Sequence, residues 1–134
     1  MTAPTEAEYA RLLAFRTELR RFIHWSETAA REAQLTPALH QLLLAIHGDR
    51  TAGGPTVGSV AEALLVRHHT AVELAQRAEH EGLIERRRDE TDHRRVHLAL
   101  TTAGTARLDA LSTAHLERIG PLAERLSAVI AAPR

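Results

Sequence analysis

The stretch that decides the fold is residues 57–101, VGSVAEALLVRHHTAVELAQRAEHEGLIERRRDETDHRRVHLALT. Apolar side chains recur at helical spacing through its first half, and Val66-Arg67 interrupts that register, so we expect two short amphipathic helices joined by a turn. Thr56 is placed to cap the first helix, and Gly82 suits the left-handed residue that ends the second. This arrangement is typical of a helix-turn-helix.

The second of these helices, residues 68–81, has two different faces. At 100° per residue its apolar side chains fall on one side: Ala71, Leu74, Ala75 and Ala78. Its polar side chains group on the other: His69, Glu73, Gln76, Arg77 and His80. One face can therefore pack on a core while the other remains free to make contacts.

A hairpin follows the two helices. Residues 83–88 and 96–100 have the composition of short strands, and the polar residues 89–95 between them form a tip. The chain is therefore predicted to be mainly α with a small β-wing, that is, a winged helix-turn-helix.

The flanking segments are helical and apolar on one face. Residues 5–33 and 37–47 predict two N-terminal helices (together 5–47), and residues 48–55 form a glycine-rich loop before the winged region, 56–101. The helix from residue 102 is expected to bend at Gly120-Pro121. Because these apolar faces are wider than one small core needs, we expect residues 1–33 and 102–132 to be dimerisation helices within a single domain, 1–134.

Composition limits the function further. The 17 basic and 17 acidic residues balance to a net charge of +0, which neither supports nor excludes a nucleic-acid partner. There is no cysteine, so disulfides and thiol sensing are excluded. No apolar run is long enough to suggest a membrane span or a secretion signal, and we expect a cytoplasmic protein with no membrane partner.

DNA contacts are predicted on the second helix of the pair. Because such a helix presents its first turn to base edges in the major groove, we expect contacts one after another along its free face, from Arg67, His68, His69, Thr70, Glu73, Gln76 and Arg77. Protonation of the two histidines would make DNA binding rise modestly as pH falls. The alternative is an ordinary solvated helix face.

The hairpin tip carries a second candidate contact. Asp92 stands two residues before an arginine, a spacing that lets its carboxylate fix the hairpin while Arg94 or Arg95 reaches toward a minor groove. Alternatively these arginines are solvated and touch phosphate at most.

The pattern resembles the multiple-antibiotic-resistance regulator (MarR) family of bacterial transcription factors. The residues that carry the resemblance are Gly82-Leu83-Ile84-Glu85-Arg86, Asp92-His93-Arg94 and Leu98-Ala99-Leu100-Thr101. It implies a homodimer whose terminal helices interlock and whose winged regions straddle a palindromic operator, with Arg94 in the minor groove. His68 and His69 stand where many relatives have small hydroxyl residues, so the operator sequence does not transfer.

The resemblance also implies a repressor that a small effector releases, and the candidate pocket residues are Arg21, His24, Trp25 and His40. Trp25 beside a cation could hold an aromatic acid by stacking and charge, but a core tryptophan and satisfied histidines are the slightly favoured alternative. His24, Glu27, His40, His47 and His115 leave a metal-responsive regulator open, although they match no compact zinc motif.

Enzymatic activity is not expected, because the chain has no phosphate loop, nucleophile elbow or zinc-protease motif, and no cofactor is implied. Besides the DNA-binding regulator and its metal-responsive variant, one further hypothesis remains open. The winged helix could be a protein-interaction module, which the neutral net charge would suit.

Overall fold

The computed structural model describes residues 2–131. Its elements are α1 (Glu6–Glu32), α2 (Pro37–His47), α3 (Val57–Leu64), α4 (His68–His80), β1 (Ile84–Arg88), β2 (Val96–Leu100) and α5 (Thr102–Ile130). The predicted fold class is confirmed. Residues 1 and 132, the outermost of the predicted dimerisation segments, lie outside the described residues, as do 133 and 134.

Threonine side chains start four of the five helices. Thr5, Thr36, Thr56 and Thr101 each accept a hydrogen bond from the backbone amide three residues later. Each such cap satisfies an amide that the helix leaves unpaired and contributes about 1 kcal/mol. Arg67 precedes α4 without a side-chain cap bond.

The turns use left-handed residues. Gln34, which ends the first helical run, has φ +61°, and Leu65 between α3 and α4 has φ +56°. Gly82 after α4 has φ +75°, as the sequence predicts. These residues let the chain change direction within a few positions after α1, α3 and α4.

The core is centred on α2. Leu39, Leu42 and Leu43 are fully buried there, and Val60 of α3, Leu98 of β2 and Leu108 of α5 pack around them. On α4 the buried residues are Ala71, Ala75 and Ala78, the face predicted to pack. Their small side chains allow α4 to lie close to the core while its other face stays in solvent.

The wing is a two-stranded antiparallel sheet in which Arg87 pairs with His97 and Arg86 with Leu98. The loop before α3 runs along β2, where the Leu98 amide donates to the Pro55 carbonyl at 2.8 Å. Gly54 has φ +97°, and a Cβ there would stand 2.6 Å from the Leu98 carbonyl oxygen. The loop and the wing therefore fit only with glycine at this position.

Helix α5 runs antiparallel to α1. The Arg125 side chain bonds Glu18 at 2.8 Å, and the Arg107 guanidinium donates to the carbonyls of Ala33 and Gln34 at 3.0 and 2.8 Å. The helix continues through Gly120-Pro121, where the sequence suggested a bend, to Ile130. No helix within residues 2–131 is long and apolar enough to cross a membrane.

The wing meets α5 at a tight junction. Thr101 donates its amide to the Leu83 carbonyl at 3.0 Å and its hydroxyl to the Gly82 carbonyl at 2.6 Å. Gly104, in the first turn of α5, is buried against Leu83, and a Cβ there would lie 2.0 Å from the Leu83 carbonyl oxygen. No side chain fits at residue 104 without moving the strand away from the helix.

Gly104→Ala should therefore destabilise the fold by about 1–3 kcal/mol, the usual cost of overpacking a close contact. Gly58→Ala is the control, because a Cβ there meets only Thr56 Oγ1 at 3.8 Å and alanine is the better helix former. Urea unfolding of both variants measures the difference. Equal free energies of unfolding would show that the junction is not tight.

Candidate nucleic-acid interface

The outer face of α4 presents the side chains predicted to contact DNA. Six of them are exposed: Arg67, His68, His69, Glu73, Gln76 and Arg77. Thr70 is half-buried. Because the alanine face holds the helix, this surface combines cationic, imidazole and amide donors with one carboxylate, the groups that pair with phosphates and base edges.

The wing tip is organised around two aspartates. Asp92 Oδ1 accepts from the Arg94 amide at 3.1 Å and from Arg94 Nε at 3.3 Å, while the Asp92 carbonyl accepts from the Arg95 amide at 2.9 Å. The Arg94 side chain is 94% exposed. Asp92 thus holds the base of the Arg94 side chain and leaves its far end in solvent.

Asp89 is the second aspartate, and sequence reasoning missed it. Its Oδ1 accepts from the amides of Thr91 and Asp92, at 2.8 and 3.2 Å, and from the Thr91 hydroxyl at 2.9 Å. Its Oδ2 lies 2.9 Å from Nε2 of His97, whose Nδ1 lies 2.7 Å from the Gly54 carbonyl. The sequence feature that could have indicated this role is the position of Asp89 at the start of a turn, eight residues before His97 in the second predicted strand.

The arginines of β1 are tied locally. Arg86 Nε bonds Glu79 of α4 at 3.2 Å, Arg87 pairs with Glu85, and Arg88 donates to the His93 carbonyl at 3.2 Å. The Arg86 bond joins the wing directly to α4. Arg94 is also paired, through Nε to Asp92, but its side chain is 94% exposed, against 34% for Arg86 and 61% for Arg87.

Trp25 lies in an aromatic cluster between α1 and α5. Its ring is 6.1 Å from Phe22 and 4.6 Å from His115, centroid to centroid, and the Arg118 guanidinium carbon stands 4.0 Å above it. The cation beside Trp25 is thus Arg118, which the sequence analysis did not single out. Arg21, 74% exposed, instead lies 3.7 Å from Glu18.

His115 is satisfied on both ring nitrogens. Its Nδ1 donates to the Leu111 carbonyl at 2.8 Å, and its Nε2 is hydrogen-bonded to the Ser26 hydroxyl at 2.7 Å. The His40 ring is buried 4.9 Å from it. Burial first, and then the neighbouring His115, lower the pKa of His40, which favours its neutral form.

Two grooves adjoin this cluster and meet at Ile23 and Glu27. One, of about 500 Å³, is lined by Ile23, Ser26, Glu27, Thr36, Pro37, Ala38, His40 and Gln41. The other, of about 470 Å³, is lined by Arg16, Leu19, Arg20, Ile23, His24 and Glu27. Of the four predicted pocket residues, His40 lines the first groove and His24 the second, while Trp25 and Arg21 line neither.

No three His, Asp or Glu side chains within residues 2–131 come together as a metal site would require. His24, Glu27, His40, His47 and His115, the possible ligands, therefore do not form one cluster in the described structure.

A helix pair with a free polar face, followed by a hairpin with an exposed arginine, defines a winged helix-turn-helix protein. Residues 33–95 match the family model described as MarR family, so this part of the chain is similar to that family. The resemblance deduced from the sequence is confirmed. No curated protein sequence matches the chain significantly.

Solved structures share the fold over most of the chain. AbsC, a MarR family transcriptional regulator from Streptomyces coelicolor, is 19% identical with a TM-score of 0.73, over 99% of this chain and 86% of that one. The S. aureus MepR–DNA complex is 24% identical with a TM-score of 0.69, over 84% and 81%. CouR from Rhodococcus jostii RHA1, bound to p-coumaroyl-CoA, is 19% identical with a TM-score of 0.62, over 84% and 73%.

Proposed function

We propose that the chain is a homodimeric, sequence-specific DNA-binding repressor, released from a palindromic operator by a small aromatic or anionic effector. The observation that carries the proposal is the exposed polar face of α4 beside a wing whose Arg94 is held at its base and free at its end. The family match and the solution of a structural neighbour with DNA support it. Phosphate contacts would supply affinity, and the α4 side chains would choose the sequence.

Exposed apolar side chains support the dimer. On α1 these are Tyr9, Leu12, Leu13 and Ile23, and on α5 they are Leu116, Ile119 and Ile130. Two antiparallel helices with so much apolar surface in solvent are expected to pair with another copy. A two-fold dimer would set its two α4 helices in successive major grooves, about one helical turn apart, and such a dimer would select a palindromic site.

The two adjoining grooves support an effector site along α1, because the first lies between α1 and the start of α2 and the second is lined by α1 alone. The first groove offers a neutral lining, apart from Glu27, and the second offers the cations Arg16 and Arg20. An aromatic carboxylate lying across both would place its ring near Ile23 and its charge near the arginines. A preference of about 1–3 kcal/mol for a dimer with the wrong helix spacing would release the operator.

Arg94→Ala tests the DNA contact. Losing a groove or phosphate contact should weaken binding by about 1–3 kcal/mol and lower the slope of affinity against salt by about one unit. Fluorescence anisotropy over a salt series, with a duplex that the wild-type protein selects from a random pool, measures both.

Arg31→Ala is the control, because Arg31 is exposed on the last turn of α1, outside the winged region. If Arg94→Ala and Arg31→Ala bind alike, the wing does not contact DNA. If the selection enriches no duplex at low salt, the protein-interaction module becomes the better hypothesis.

Leu13→Asp tests the dimer. A charge on the apolar face of α1 should weaken self-association at least about tenfold, because an unpaired carboxylate cannot be buried cheaply. Analytical ultracentrifugation should find the wild type at twice the chain mass and this variant shifted to the monomer. Leu65→Asp, at a leucine in the α3–α4 turn that is 92% exposed against 64% for Leu13, should leave the mass unchanged.

Benzoate titration tests the effector site, with Trp25, the single tryptophan, as the fluorescent reporter. Benzoate should change Trp25 emission and weaken duplex binding. Arg20→Gln, which alters a groove residue, should weaken benzoate binding about two- to fivefold. Arg21→Gln alters the neighbouring arginine outside both grooves and should have no effect. The reverse order would place the charge contact at Arg21.

A further inference from the structure

His97 sits where three parts of the winged region meet. Its ring is buried, with 7% of the residue exposed, between the wing tip and the loop before α3. Nδ1 faces the Gly54 carbonyl at 2.7 Å and Nε2 faces the Asp89 carboxylate at 2.9 Å. The ring also packs on Gly53, where an added Cβ would stand 3.5 Å from Cδ2.

Both partners of this ring are acceptors. A carbonyl oxygen and an ionised carboxylate have no proton to donate, so each bond requires an N–H from the imidazole. A neutral ring has one N–H and can complete only one of the two bonds. The bridge is therefore complete only when His97 is the doubly protonated imidazolium.

We propose that His97, protonated on both ring nitrogens, is the positioning residue of the wing, bridging the Asp89 carboxylate to the Gly54 carbonyl and so fixing the wing tip against the body of the domain. Asp89 connects His97 to the rest of the wing tip, because the same carboxylate accepts hydrogen bonds from the amides of Thr91 and Asp92. Asp92 in turn holds Arg94. The consequence for DNA rests on the proposed function, whereas the bridge itself does not.

The charges around His97 agree with this protonation state. The hydrogen bonds to Asp89 and Gly54, and the charge of Asp89, raise the pKa of His97, while burial and Arg95 oppose the rise. Hydrogen bonds from His97 first, and then from Thr91 and Asp92, hold the pKa of Asp89 well below its usual range. Arg87, Arg88 and Glu90 share the shallow groove beside the ring, and His47 and Asp49 line the groove on the other side of Gly53.

The direction of the pH dependence follows from these shifts. A histidine with a raised pKa contributes its stabilisation fully below the ordinary value of about 6.5 and loses it as pH rises through the folded value. A carboxyl with a lowered pKa contributes above about 3.9 and loses its stabilisation as pH falls through the folded value. The wing tip is thus held most firmly in mildly acidic solution and loosens on the alkaline side.

Asp89→Asn and Glu90→Gln form a matched pair for the test. Each removes one negative charge from the wing tip, but only the first changes a group bonded to His97. Any general gain in DNA affinity from the lost charge is therefore common to both variants. The difference between the two variants therefore measures the effect of the bond between Asp89 and His97.

Nuclear magnetic resonance of the ¹⁵N-labelled full chain, without DNA, tests the bridge. We expect His97 to carry protons on both nitrogens at about pH 6 and to titrate above the ordinary histidine value. Asp89→Asn should lower its midpoint and speed amide exchange at Arg95, whereas Glu90→Gln should do neither. A neutral His97 at about pH 6, or unchanged exchange at Arg95 in Asp89→Asn, overturns the proposal.

Binding to the selected duplex tests the consequence for DNA. Below about pH 6.5 we expect Asp89→Asn to bind about fivefold more weakly than Glu90→Gln, a loss at the low end for one groove contact, and the difference to vanish as His97 deprotonates. Equal affinities at every pH would show that the bridge does not position Arg94. If the wild type binds no duplex, the proposed function fails, and the resonance experiment still decides the bridge.

Discussion

The close approach of α5 to the Leu83 carbonyl is the constraint on which the rest of the structure depends. Gly104 lets the first turn of α5 rest on the Leu83 backbone just before β1, and Thr101 bonds both Gly82 and Leu83 while capping the helix. This one junction joins the end of α4, the base of the wing and the start of the helix that runs back along α1. The position of the α4 face and the wing, the proposed DNA-contacting surface, relative to the terminal helices is therefore set here. A dimer formed through those helices would fix the distance between two such surfaces.

The wing is held independently at its two ends. Its base is anchored by the junction with α5 and by the Arg86–Glu79 pair, and its tip is anchored by His97 and Asp89. These attachments differ in kind, because the base relies on steric fit, backbone bonds and an arginine–glutamate pair, while only the tip relies on a histidine. A change in pH would therefore act on the tip and leave the base in place. The position of Arg94 can thus change without disturbing the packing of α4.

Most of the fold could be predicted from patterns among residues that are close together in the sequence. Threonine caps, the left-handed glycine after α4 and the alanine face of α4 are each determined by neighbouring residues, so they could be deduced from the sequence. The contacts that could not be predicted join residues that are distant along the chain. One of them also involves a residue that looks like an ordinary strand position. Arg118 lies 93 positions from Trp25, and the Gly54 carbonyl lies 43 positions from His97. His97 looked like one residue of a strand, since nothing local shows that a loop passes beside it.

Hydrogen–deuterium exchange of the intact protein, with and without its selected duplex, tests most directly that the α4 face and the wing tip act together on DNA. We expect slower exchange in residues 67–77 and 89–95 when the duplex is present, with much smaller changes along α2. Both segments should respond at the same DNA concentration, since one surface contacts one duplex. Protection confined to one segment, or found instead on the terminal helices, would contradict the account.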